Sequence, residues 1–255
     1  MLKHNFNLKN KILNHDTFDF LDETNLSLHD NILAYHDGLN WKIVPLDTFL
    51  NYPVIHDKYY GDNDEIIQIS VSCCPFTRVT CIFEGLYYPS EYTLYNSLVL
   101  TDSSNNLLPI ISGYCTTPNN TTFKVKRWET FIKTFRNALS DYPDCKYFNS
   151  KIKLDKHVVI KQKYTNENQH FDVHPETIVQ ILQYKSSKTL SDKYVIIIGH
   201  DANALEPTGY DSKKSKFYNY FQNMEHKLEE KSAFIMPIMW FACSYFFKNA
   251  KVIKL

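Results

Sequence analysis

Residues 65–84 read EIIQISVSCCPFTRVTCIFE, and the fold class turns on them. From Glu65 to Ser72 the Ile, Val and alternating polar residues follow the period of two that a strand requires. Cys73-Cys74-Pro75-Phe76-Thr77 breaks the run, because proline cannot donate to a central ladder. Arg78 to Glu84 resumes as a second strand and stops at Gly85.

The same short-strand grammar extends in both directions. Upstream, Ile32 to His36 is a strand. Asp37-Gly38 is a hairpin signal, with a type I′ turn expected because both central residues need positive φ. Trp41 to Val44 returns, Leu46 to Leu50 forms one helical turn, and Tyr59 to Asp64 is a polar loop. Downstream, Tyr92 to Thr101 reads as one strand, Ser103 to Asn106 as a turn, and Leu107–Ser112 and Phe123–Val125 as further strands. Runs of short strands and turns predict a β-rich α+β fold: a mixed, mainly antiparallel sheet with a few packed amphipathic helices. Trp128, Phe131, Ile132, Phe135, Ala138 and Leu139 repeat at helical spacing and predict such a helix, stopped at Tyr142-Pro143. Strands follow near Cys145–Phe148 and Val158–Gln162, then a helix over Pro175–Tyr184 and a strand over Tyr194–Ile198. A helix over Phe217–Leu228 and a closing strand over Val252–Leu255 end the chain. Residues 1–30 are polar and weakly periodic and read as an arm. Residues 31–255 read as a single domain with halves 31–150 and 151–255.

A degenerate internal repeat is one reading of two echoes. Trp128 and Phe135-Arg136-Asn137-Ala138 match Trp240 and Phe247-Lys248-Asn249-Ala250, while His36-Asp37 matches His200-Asp201. The two matches lie at different offsets, which excludes a simple tandem repeat. A true repeat would pair both copies within one shared sheet.

Composition removes several function classes. Basic and acidic residues balance at 28 each, with no basic stripe, so no nucleic-acid partner is expected. Zero net charge leaves self-association open. The first ten residues contain no apolar run of the secretory kind. Six scattered cysteines therefore read as free thiols of a cytoplasmic protein, and the sequons at Asn25, Asn119 and Asn120 carry no meaning. The richness in Asn, Lys and Ile suggests an AT-rich genome, such as a large DNA virus or a low-GC microbe; the expected place is the cytoplasm, or for a viral protein the host cytoplasm or a virion. Ala233 to Phe247 is apolar almost throughout but shorter than the ~18–20 residues of a bilayer span, and Pro237 interrupts it. It reads as a core helix, and no membrane partner is expected.

The stretch Asn31 to Gly113 resembles the bacterial and archaeal domain-of-unknown-function 3179 family. The likeness rests on the order of Leu33-Ala34-Tyr35-His36-Asp37-Gly38, Val54-Ile55-His56-Asp57, Ser72-Cys73-Cys74-Pro75-Phe76, Tyr95-Asn96-Ser97-Leu98-Val99 and Leu108-Pro109-Ile110. Trp128 and Tyr142-Pro143-Asp144 extend it. The resemblance implies a β-rich fold and no activity. Where that family often has a second cysteine after the Cys-Pro, this chain has Thr77, so a redox pair is not implied.

Candidate sites cluster around these motifs. Cys74 is a candidate nucleophile, with His56 or His36 as base and Arg78 as an electropositive neighbour. A buried structural thiol at a tight turn is the plainer alternative. Tyr95, Asn96 and Ser97, with Arg78, are candidate ligand-binding groups. His170 and His174 share a spacing that two metal ligands could use, but the motif is generic and no metal or other cofactor is expected. No Walker loop, G-x-G-x-x-G or G-x-S-x-G is present. The leading expectation is a binding or accessory domain without catalysis, followed by a thiol enzyme using Cys74 and then a His-based metal module.

Overall fold

The structure is a computed structural model, and it describes residues 1–3, 8, 11–94, 96–154, 178–185, 192–198, 234–240, 242–243 and 250–254. The chain divides into two compact units, Met1–Gln162 and Lys163–Leu255, where one domain from residue 31 onward is the sequence expectation.

Unit 1 begins with β1 (Leu2–Lys3), β2 (Ile12–Leu13), β3 (Phe18–Leu21), β4 (Asn31–His36) and β5 (Trp41–Pro45). The short helix α1 (Thr48–Asn51) leads to β6 (Val54–Tyr60), β7 (Ile66–Cys73), β8 (Thr80–Glu84), β9 (Tyr88–Leu94) and β10 (Ser97–Thr101). Then come β11 (Leu107–Pro109), β12 (Tyr114–Thr116), β13 (Thr122–Lys124), β14 (Arg127–Trp128) and β15 (Phe131–Thr134). Helix α2 (Phe135–Asp141) and β16 (Lys146–Ser150) complete the described elements. They form three sheets: sheet A (β1-β9-β10-β11-β12-β13), sheet B (β14-β8-β7-β6-β2) and sheet C (β15-β4-β5-β16-β3). The pairing is mainly antiparallel and helices are few, as the sequence predicts.

Sheet C is covered on both faces, and its sequence shows why. In β4, Leu33 and Tyr35 point into one core with Ile55, Ile69 and Val71 of sheet B. Their alternates Ile32 and Ala34 pack on Phe135 and Ala138 of α2. A strand buried on both faces needs a continuous apolar run, and NILAYH supplies one. Among the described residues no helix is long and apolar enough to cross a membrane.

Several local expectations give way to tertiary context. The helix expected from Trp128 starts only at Phe135. Ile132 packs in one core cluster and Phe131 against the other, so the period there is two, and β15 pairs with the edge of β4. Apolar residues at 131, 132 and 135 fit either period; the open edge of β4 decides. The first turn of α2 has no side-chain cap, and its N–H groups reach the chain before β4 instead, Phe135 to Asp30 O and Arg136 to Leu28 O. The single strand expected over Tyr92–Thr101 is a hairpin, with Ser97 paired to Leu94 and Asn96 at φ 62°, a conformation Asn tolerates. The Asp37-Gly38 turn is a four-residue loop closing on the His36–Trp41 pair, with positive φ at Gly38 but not Asp37. Within the stretch expected as an N-terminal arm, β2 pairs with β6, β3 pairs with β16, and Leu13 and Phe18 lie in the core. Strands of two and four residues leave little periodicity to read.

Unit 2 contains β17 (Ile178–Lys185), β18 (Asp192–Ile198), β19 (Phe234–Met239) and β20 (Lys251–Lys254), ordered β19-β17-β18-β20. The helix expected over Pro175–Tyr184 is β17 from Ile178 on. The apolar run expected as a core helix starts as β19, turning helical at Trp240, Ala242 and Cys243. Pro237 is tolerated there because β19 is the edge strand of the described sheet. The strand near Val158–Gln162 and the helix over Phe217–Leu228 lie outside the described residues.

This sheet and the first four strands of sheet C have the same order, directions and register. His36 faces Trp41 across one hairpin, and Gln183 faces Tyr194 across the other. On that alignment the third-strand pair Asn31–Thr134 falls on Ile178–Met239. The parallel pair Lys42–Lys146 falls on Val195–Lys251. A helix follows the third strand in each, beginning at Phe135 and at Trp240. The correspondence sets Trp240 against Phe135 rather than Trp128, and it lies in two sheets rather than one shared sheet.

Gly38, at φ 96°, passes the end of β6 so closely that an added Cβ would lie 1.9 Å from Tyr60 O. Gly85 has a similar φ of 100° but only a ring carbon at 3.5 Å. Gly85→Ala is therefore expected to cost only backbone strain, ~1–2 kcal/mol. Gly38→Ala is expected to cost at least ~2 kcal/mol more, because Tyr60 backbone must move. Urea denaturation of both variants measures the difference.

Candidate functional site

The Cys-Pro turn is built by backbone bonds. Cys74 N–H donates to Val79 O, Arg78 N–H donates to Cys74 O, and Arg78 sits at φ 55°. This turn docks on the β9–β10 hairpin, where the Leu98 N–H donates to Cys74 Sγ at 3.2 Å. The Thr77 hydroxyl lies 3.5 Å from that of Ser97. The structure thus brings together Cys74, Thr77, Ser97 and the Asn96 turn, two motif blocks far apart in sequence. Tyr95 lies outside the described residues, as do His170 and His174.

The histidines stand elsewhere. His56 on β6 is opposite Ser70, three residues along β7 from Cys73, or about 10 Å at a strand's rise. Its Nε2 is 2.7 Å from Tyr87 O. A carbonyl only accepts, so the neutral ring carries its proton on Nε2. Burial lowers the His56 pKa, outweighing the Tyr87 carbonyl, which raises it. His36 is at the other end of β6, beside Tyr60, whose N–H donates to Asp37 O; there His36 Nδ1 accepts the Gly38 N–H. The length of β6 puts it about 20 Å from the Cys-Pro turn. Neither imidazole is placed to deprotonate Cys74.

The thiols are buried. Burial pushes Cys73 up to about 12, against the pull of the Arg78 guanidinium hydrogen-bonded to it, and pushes Cys81 to about 12 and Cys115 to about 11. Nη1 of Arg78 is buried and makes no hydrogen bond, so the polar accounting at this turn is not fully closed. Among the described residues no group of three His, Cys, Asp or Glu side chains is arranged to hold a metal ion.

A second polar cluster escapes sequence reasoning. Lys42 Nζ lies 2.6 Å from Asp57 Oδ2 and 2.8 Å from Asp37 Oδ2, and all three residues are buried. The fully buried Tyr35 donates its hydroxyl to the same Asp57 Oδ2 at 2.6 Å. The Phe20 ring covers the ammonium at 4.6 Å. Asp37 is further held by the Leu39 and Asn40 N–H groups at Oδ1. The available signal is a lone lysine in an apolar strand, between Trp41 and Ile43. Its partners on β6 become visible only once sheets B and C are stacked.

No family model, curated protein or solved structure matches this chain.

Two outcomes follow from the geometry. Cys74→Ala strands the buried Leu98 N–H and is expected to destabilise by about 1–3 kcal/mol, with Cys74→Ser recovering part through its hydroxyl acceptor. Equilibrium unfolding of the two variants checks this. For His56, the folded pKa is below the unfolded value, so the unfolded chain binds the proton more readily. Its contribution is complete above the unfolded value of about 6.5 and is lost as pH falls below it. His56→Gln is expected to flatten the fall in stability between about pH 7 and pH 5.

Proposed function

We propose that this chain is a non-catalytic binding or accessory protein built on a degenerate internal repeat. The observation that carries the first half is the state of Cys74: fully buried, its sulfur accepting a backbone N–H, and distant from both candidate bases. A nucleophile needs an accessible thiol beside a base, and Cys74 has neither. The matching order, directions and register of the two four-stranded sheets support the repeat. On this reading residues 46–130, inserted between the second and third strands of the first copy, carry what is particular to the protein. The ordered motifs from Asn31 to Gly113 support kinship with the domain-of-unknown-function 3179 family, which implies no activity.

Iodoacetamide labelling of the native protein near neutral pH tests the reading. All six thiols are expected to react only as fast as the chain opens, and promptly in denaturant. One native thiol reacting rapidly and stoichiometrically, mapped to Cys74, would replace the binding reading with the thiol-enzyme one.

A further inference from the structure

Lysine-carboxylate pairs are common on surfaces and cheap there. Here one ammonium is wedged between two carboxylates inside the core, with an aromatic ring above it. Taking these charges out of water is costly, and their attraction repays it only with excellent geometry. The scaffold does not demand them: the positions matching Tyr35 and Lys42 in unit 2 are Leu182 and Val195.

We propose that Lys42 and Asp57 condense into an intramolecular isopeptide bond, with Asp37 as the proton shuttle and Tyr35 as the group that polarises the reacting carboxyl. Nζ at 2.6 Å from Oδ2 stands about 3–3.5 Å from Cγ, the separation of a near-attack conformer. Within the buried cluster one proton passes from the ammonium to Asp57 Oδ2, giving a neutral amine and a carboxylic acid. The Nζ lone pair attacks Cγ, and the Oδ2 hydroxyl, which Nζ and the Tyr35 hydroxyl both contact, is the leaving group. Asp37, 2.8 Å from Nζ, takes a proton from the nitrogen and delivers it to the departing Oδ2 hydroxyl. A C–N bond forms, a C–O bond breaks and one water leaves. Nothing is oxidised or reduced, and Asp37 ends as it began, still held by the Leu39 and Asn40 amides. The product ties β5 to β6, and so sheet C to sheet B, by a covalent bridge that needs no oxidising compartment.

The mass of the purified full-length chain under denaturing conditions decides the matter. The expected chain is lighter than its sequence by one water, and protease digestion yields one branched peptide joining Lys42 to Asp57. Asp57→Asn is expected to form the same amide by losing ammonia instead. Lys42→Arg and Asp37→Asn, checked for folding by circular dichroism, are expected to keep their full mass. A wild-type chain at full mass, with Lys42 open to acetylation after unfolding, overturns the proposal, as does a water loss mapped elsewhere. Because the decisive reading is made on the wild-type chain, a variant that fails to fold does not rescue it.

Discussion

The Asp37 loop holds the two central sheets of unit 1 in place. Its carbonyl accepts the Tyr60 N–H, its N–H donates to Asn40 O, and its carboxylate binds two amides and an ammonium. Gly38 lets the hairpin tip approach the end of β6 at a distance no side chain allows. Because β6 sits in sheet B and the hairpin in sheet C, this contact fixes how the sheets overlap. Buried carboxylates and a lysine are costly to bring together, and removing one partner from such a group costs about 3–5 kcal/mol. A docking point of this kind is therefore unforgiving: it contributes little if it is nearly right and much if it is right.

The overlap explains the rest of unit 1. With sheet B on one face of sheet C and α2 on the other, both faces of β4 must be apolar, and the burial of Ile32 through Tyr35 shows that they are. The opposite face of sheet B behaves differently. Ser70, Ser72 and His56 are buried there, and each bonds to backbone: Ser70 to Gly85 O, Ser72 to Cys81 O, His56 to Tyr87 O. Polar side chains on a strand face need not mark solvent or a ligand. Ser70 and His56 satisfy the irregular chain between β8 and β9, which has no ladder of its own.

That distinction separates what the sequence made legible from what it hid. β7, β8 and the β4–β5 hairpin could be read, because period and turn residues are local signals. The Cys-Pro turn was legible as a break, but its contact with Ser97 was not, because the two were candidates for different roles and lie far apart in sequence. The switch from strand to helix at Thr134 was hidden, since Phe131, Ile132 and Phe135 satisfy either period and the open edge of β4 lies about a hundred residues away in the chain. The Lys42 cluster was hidden for the same reason: Asp37 looked sufficient as a turn residue, and Asp57 lay in a stretch for which no strand was expected. Only topology brings their carboxylates to one nitrogen.

The two matching sheets sharpen what that cluster means. Each of the two sheets has the hairpin, the third strand on its first edge, the following helix and the parallel fourth strand. Register alignment sets Leu182 against Tyr35, Tyr184 against Asp37 and Val195 against Lys42, and nothing in the four-stranded scaffold corresponds to Asp57, which belongs to the inserted β6. Apolar Leu182 and Val195 therefore stand in unit 2 where Tyr35 and Lys42 stand in unit 1. Replacing a buried ion group by apolar residues is often neutral or stabilising, so retention of one here is not explained by the stability of the scaffold itself. It is explained by position. In unit 1, β6, β7 and β8 form a second sheet packed on sheet C, and the charged group lies where that sheet meets the hairpin.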